Sequence, residues 1–188
     1  RRDLEVMPVV ERAEVGRELP SRLVIRIAER TPIASLVAGM GPMRYQVDAR
    51  GVVMDLQSMH RLSDAQRKKL EEIPVITGAA VADMKIGRPV ISPEIYHALA
   101  LFQRADLGDS IAGMEIRSID VSRRGFLVVT LADGGRARLA IADLDQQLRR
   151  WTAVLNDARI RSLRVATIDL SMGRDVPVTF AATVPETP

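Results

Sequence analysis

Leu144, Leu148, Trp151, Leu155 and Ala158 fall at 4-4-3-4 spacing, the signature of one apolar stripe along an α-helix. Such a helix folds only if that stripe is buried against another element. The neighbouring segments supply one. Residues 114–121, 126–131 and 136–139 read as three short strands. The last two are joined by Asp133-Gly134-Gly135, whose glycines permit a tight hairpin turn. Two further strands are expected over 163–170 and 176–181. Strands separated by only a few helices argue for an α+β fold with a largely antiparallel sheet and the helices packed on it.

Upstream, Ser92-Pro93-Glu94 is a helix start. Serine caps free N–H groups, proline suits the first turn, and glutamate favours the positive end of the dipole. This helix is expected to reach Arg104 and to bury Ile95, Leu99 and Phe102. Ser63-x-x-Gln66 has the capping-box pattern, which predicts a helix over residues 64–72. Asp48-Ala49-Arg50-Gly51 reads as a hairpin turn. Earlier still, residues 9–18 and 23–37 are expected as paired strands, with Pro32 at a bulge or edge position. Residues 1–7 read as the last turns of a helix ended by Pro8. Gly39, Gly41 and Pro42 mark the expected domain boundary, giving units 1–38 and 39–182 and a flexible tail over 183–188.

Composition excludes several functions. With no cysteine there is neither thiol chemistry nor a disulfide. A formal charge of +3, spread along the chain, does not form the basic stripe that nucleic acid requires. The two histidines, His60 and His97, stand apart and lack further ligands at metal-binding spacing. No nucleophile elbow or phosphate loop occurs, and Gly39-Met40-Gly41 lacks the third glycine of a dinucleotide turn. Glu71-Glu72 beside Lys68-Lys69 reads as a solvated face, and Asp143 as a helix cap. Neither catalysis nor a cofactor is expected. No apolar run approaches the ~20 residues of a membrane span. The start without methionine suggests a piece of a longer chain, whose membrane anchor would lie upstream.

Met7-Pro8-Val9-Val10, followed by Leu23-Val24-Ile25-Arg26-Ile27 and Glu29-Arg30-Thr31-Pro32, resembles the end of a POTRA module in the FtsQ/DivIB family of bacterial cell-division proteins. Asp48-Ala49-Arg50-Gly51-Val52-Val53 resembles the D-x-x-G-x-V that opens the family's second domain, and Ile73-Pro74-Val75-Ile76-Thr77-Gly78 its L-P-x-L-x-G. Ser122-Arg123-Arg124-Gly125-Phe126, Leu131-Ala132-Asp133-Gly134 and Ile168-Asp169-Leu170 continue the likeness in the same order. Ser171 and Met172 stand where family members often carry arginine and an aromatic.

The resemblance implies an incomplete POTRA module followed by a mostly antiparallel sheet domain. It implies a non-enzymatic scaffold outside the cytoplasm, anchored once in the inner membrane at the division septum. That scaffold would bind FtsB/FtsL-type partners, with other divisome components at the POTRA part, and would recruit and regulate septal peptidoglycan synthesis. The implied partner site comprises Val176, Pro177, Val178, Thr179, Phe180, Ala181, Arg123, Arg124 and Met172. Arg123 and Arg124 would attract an acidic segment. A different class, a POTRA-type module that binds β-strands in outer-membrane assembly, is the alternative.

Pro177 argues independently for an edge strand, because proline has no N–H to give to a ladder. If Pro177 faces outward, alternation turns Thr179 and Ala181 outward as well. Val176, Val178 and Phe180 then bond inward.

Overall fold

The computed structural model describes residues 4, 6–39, 44–55, 62–106 and 114–181. Strands β1 (Val10–Glu18) and β2 (Arg22–Glu29) form an antiparallel hairpin of their own. The other strands are β3 (Pro32–Ala38), β4 (Arg44–Asp48), β5 (Val53–Met54), β6 (Val75–Ala79), β7 (Ile116–Asp120), β8 (Phe126–Leu131), β9 (Arg136–Ala140), β10 (Val165–Asp169) and β11 (Val178–Phe180). Among the described residues they make one nine-stranded sheet in the order β11-β10-β9-β8-β7-β6-β3-β4-β5. Helices α1 (Asp64–Glu72), α2 (Pro93–Asp106) and α3 (Leu144–Ile160) complete the α+β fold.

Five of the eight strand pairings among the described residues are antiparallel, as expected, but the sheet is mixed. β3 and β6, β6 and β7, and β9 and β10 run parallel. The reason lies in the helices. α2 carries the chain from β6 to its neighbour β7, and α3 from β9 to its neighbour β10. A helical crossover returns the chain to the end of the sheet it left, so the next strand must run parallel.

α2 and α3 cover the same face. Ile95, Leu99, Phe102, Leu148 and Trp151 share one core with Leu127, Val129, Leu139 and Ile168 of the sheet. Of the α3 stripe, Leu155 alone is only half-buried. Gln147 fastens α3 to the strand it follows, exchanging bonds with both backbone groups of Ala140 at 2.8 and 2.9 Å. The reciprocal Ser63–Gln66 capping box at the start of α1 is present. Asp143, expected to cap α3 with its carboxylate, does not. Its backbone is left-handed (φ 54°) instead of the extended form from which an N-cap side chain reaches back to the helix, and its carboxylate makes no cap bond. The N–H groups of Gln146 and Gln147 donate to the Asp143 carbonyl.

The strand expected over residues 23–37 is two strands in two sheets. Arg30 ends the hairpin by donating its N–H to the Val9 carbonyl at 2.8 Å. Pro32, which lacks a donor, opens β3, one of the positions in a sheet where proline is tolerated. β3 then runs between β4 and β6, well inside the large sheet. The joint is locked from the side. Arg30 Nη1 donates to Asp48 Oδ2 at 2.7 Å, with both side chains nearly buried. Asp48 Oδ1 accepts from the N–H groups of Arg50 and Val52 at 2.9 and 2.8 Å. Gly51 adopts φ 80° in this turn, and a Cβ there would meet Val90 at 3.1 Å. The D-x-x-G-x-V text thus encodes an aspartate that serves a turn and an ion pair together. Of the helix expected over residues 1–7, most lies outside the described residues, as do Gly41, Pro42, His60 and the tail.

Candidate partner-binding edge

The two edges of the large sheet are finished differently. At β5, residues 86–90 lie alongside the outer strand. Val53 donates to the Arg88 carbonyl at 3.0 Å, Gly87 to Val53 at 2.8 Å and Val90 to Gly51 at 2.9 Å. At β11, no described residue pairs with the outer side. An edge with free N–H and C=O groups is a template for one more strand.

β11 is therefore an edge, but its backbone is turned opposite to the sequence expectation. The Pro177 carbonyl accepts the Asp169 N–H at 3.0 Å, and the Ala181 N–H donates to Arg164 at 2.8 Å. Both bonds run inward to β10. By period-two alternation Thr179 also bonds inward, and the free backbone groups belong to Val178 and Phe180. Pro177 lies just before the first residue of β11, where only one ladder bond is forgone. Val176 and Val178 pack partly on the core, as expected of an apolar set. Phe180 instead stays 41% exposed beside its free backbone groups.

On the sheet face away from α2 and α3, a groove of about 380 Å³ adjoins this edge. Arg123, Arg136, Arg138, Asp169 and Pro177 line it. Arg138 stacks its guanidinium 4.4 Å over the Phe126 ring and reaches Asp169 at 3.4 Å. The groove joins two residues of the expected partner site, Arg123 and Pro177, with Arg136, Arg138 and Asp169, which were not part of it. Arg136-Ala137-Arg138-Leu139 did carry the signal, since alternation puts both arginines on one face of a strand.

Arg123 and Arg124 part company. Arg124 lines a separate cavity of about 700 Å³ with Asp83, Ser92 and Glu94. Glu94 holds their turn in place, accepting the Gly125 N–H at 2.8 Å and the Ser92 hydroxyl at 2.9 Å. The Gly125 bond foremost, then its own backbone N–H, Ser92 and the nearby Arg124 charge, holds the Glu94 carboxyl below the usual glutamate range against the opposing effect of burial. A carboxyl depressed in the folded state stabilises the fold above its unfolded pKa, and that stability is lost as pH falls through the folded value. Glu94→Gln is accordingly expected to lower the melting temperature at pH 7 and to narrow the gap from wild type as pH falls below about 4. A gap independent of pH would show that the Glu94 charge contributes nothing.

Met172 is 52% exposed, and its carbonyl accepts from Arg150 at 3.4 Å. It is not among the residues lining the groove. His97 is half-buried, its ring edge-on to Tyr96. Among the described residues no group of three or more metal-ligating side chains occurs, and no helix is long and apolar enough to cross a membrane.

The architecture is that of an α+β module in which, among the described residues, one edge of the large sheet is covered and the other is free. Residues 39–171 match the family model described as cell division protein FtsQ/DivIB, C-terminal. The chain belongs to the FtsQ/DivIB family of cell-division proteins. It is 29% identical to cell division protein FtsQ of Anaeromyxobacter sp. (strain K), over 89% of this chain and 53% of that one. To cell division protein FtsQ of Syntrophotalea carbinolica it is 26% identical, over 95% of this chain and 60% of that one. The chain thus spans a little over half the length of these relatives.

Proposed function

We propose that this chain is a division scaffold that binds an FtsB/FtsL-type partner by adding the partner's strand to β11. Family membership supports the process, and the unpaired outer side of β11 carries the mode of binding. Main-chain bonds to Val178 and Phe180 supply affinity, and side chains beside them supply selectivity. The groove next to β11, with three arginines and one aspartate, suits a partner with acidic residues. Through this contact the protein recruits and regulates septal peptidoglycan synthesis from the extracytoplasmic side of the inner membrane, its anchor upstream.

The hairpin fits the end of a POTRA module in this reading. Its register places Val15 opposite Ile25 and Ala13 opposite Ile27, so Val15, Leu23, Ile25 and Ile27 share one face. These four side chains are about half exposed, while Ala13 on the same face is buried. That face is where the remainder of the module would pack, and from there other divisome components would be met.

Proline substitution tests the strand addition. Phe180→Pro removes an outward donor and should weaken partner binding at least about tenfold, or about 1.4 kcal/mol, with little change in melting temperature. Thr179→Pro removes an inward bond and should destabilise β11 itself. A Phe180→Pro protein that binds its partner as wild type does would sink strand addition here.

A further inference from the structure

The groove beside β11 sets Arg123, Arg136 and Arg138 against a single carboxylate, Asp169. That carboxylate is already served from another side. Its Oδ1 accepts from the Ser171 N–H at 3.0 Å and from the Ser171 hydroxyl at 2.5 Å. Oδ2 alone turns to Arg138, and 3.4 Å from Nη1 is the long limit of a hydrogen bond. The guanidinium carbon lies 4.4 Å over the Phe126 ring, and the side chain as a whole is 36% exposed. Arg138 Nε is buried and has no partner among the described residues. A guanidinium carries five N–H donors in a rigid fork that fits a carboxylate on two bonds. This one is well oriented and poorly used.

We propose that Arg138 is the carboxylate-reading residue of the groove, and that Asp169 is an internal stand-in which an aspartate or glutamate of the partner displaces. The inference rests on the reading that a partner binds at the β11 edge, and it names what that partner must carry. Its occupant is an acidic segment that flanks the added strand and lies over β9 and β10. Charge selects it, because Asp169 can offset only one of the three arginines. Binding exchanges a long, single-bonded ion pair for a forked one, while Asp169 keeps both bonds from Ser171.

Two substitutions with opposite expected signs test this, read as affinity for the purified partner pair of the proposed function. Arg138→Lys keeps the charge but loses the fork, and is expected to weaken binding about tenfold. Asp169→Asn keeps an acceptor for Ser171 but no longer competes for Arg138, and is expected to tighten binding about threefold. Circular dichroism and melting temperature confirm that each variant is folded. Unchanged affinity in Arg138→Lys, or weaker binding in Asp169→Asn, overturns the assignment even where Phe180→Pro abolishes binding. Indifference to Phe180→Pro instead overturns the edge reading itself, and this inference with it.

Discussion

Asp48→Ala is expected to cost about 3–5 kcal/mol, the usual consequence of removing one partner from a buried ion pair. The Asp48 side chain is 8% exposed and that of Arg30 14%. Arg30 Nε already has no partner among the described residues, so alanine would leave a nearly buried guanidinium without its anion. The N–H groups of Arg50 and Val52 would lose their acceptor at the same time. Asp48→Asn retains an acceptor for those two amides and loses the charge, so it should fall between wild type and alanine. Urea unfolding followed by circular dichroism ranks the three. An alanine variant within about 1 kcal/mol of wild type would place the pair with ordinary surface salt bridges.

Trp151→Ala is the other large effect, expected at about 3–5 kcal/mol from lost burial and the cavity left behind. Trp151 is 1% exposed, in the core between α3 and the sheet. Its neighbour along the stripe, Leu148, is equally enclosed, and Leu148→Ala should cost about 2–5 kcal/mol. The chain has one tryptophan, so the Trp151 variant must be followed by circular dichroism rather than fluorescence. Stability within about 1 kcal/mol of wild type would mean that the stripe does not carry the packing of α3.

Elements set by neighbouring residues were legible in the sequence. α1 begins where Ser63 and Gln66 answer each other's backbone, and α2 where Ser92, Pro93 and Glu94 meet three requirements of a first turn. β8 occupies the expected residues because a short apolar run ends at the Asp-Gly turn. Pairing was less legible, since a strand's own residues do not name its neighbour. Residues 32–38 look like more of β2, and only their pairing with β4 and β6 moves them into the large sheet.

The same limit governs the site. Period-two alternation separates Pro177, Thr179 and Ala181 from Val178 and Phe180, but does not say which set faces inward. That choice was fixed by Asp169 and Arg164, the residues across the ladder. Arg136 and Arg138 could be placed on one face from sequence alone. The contact of Arg138 with Asp169 could not, because it spans 31 residues and exists only where α3 returns the chain parallel to β9.

The unequal finish of the sheet edges sets a valency. Two free edges would let copies or partners add at either side, and such growth has no natural end. Residues 86–90 lie along one side, so among the described residues β11 is the side of the large sheet left open, and strand addition as proposed would use one site per chain. Two copies joined β11 to β11 would likewise close on themselves as a symmetric pair. On the proposed mode of binding the sheet therefore counts to one, because each chain offers a partner a single open side.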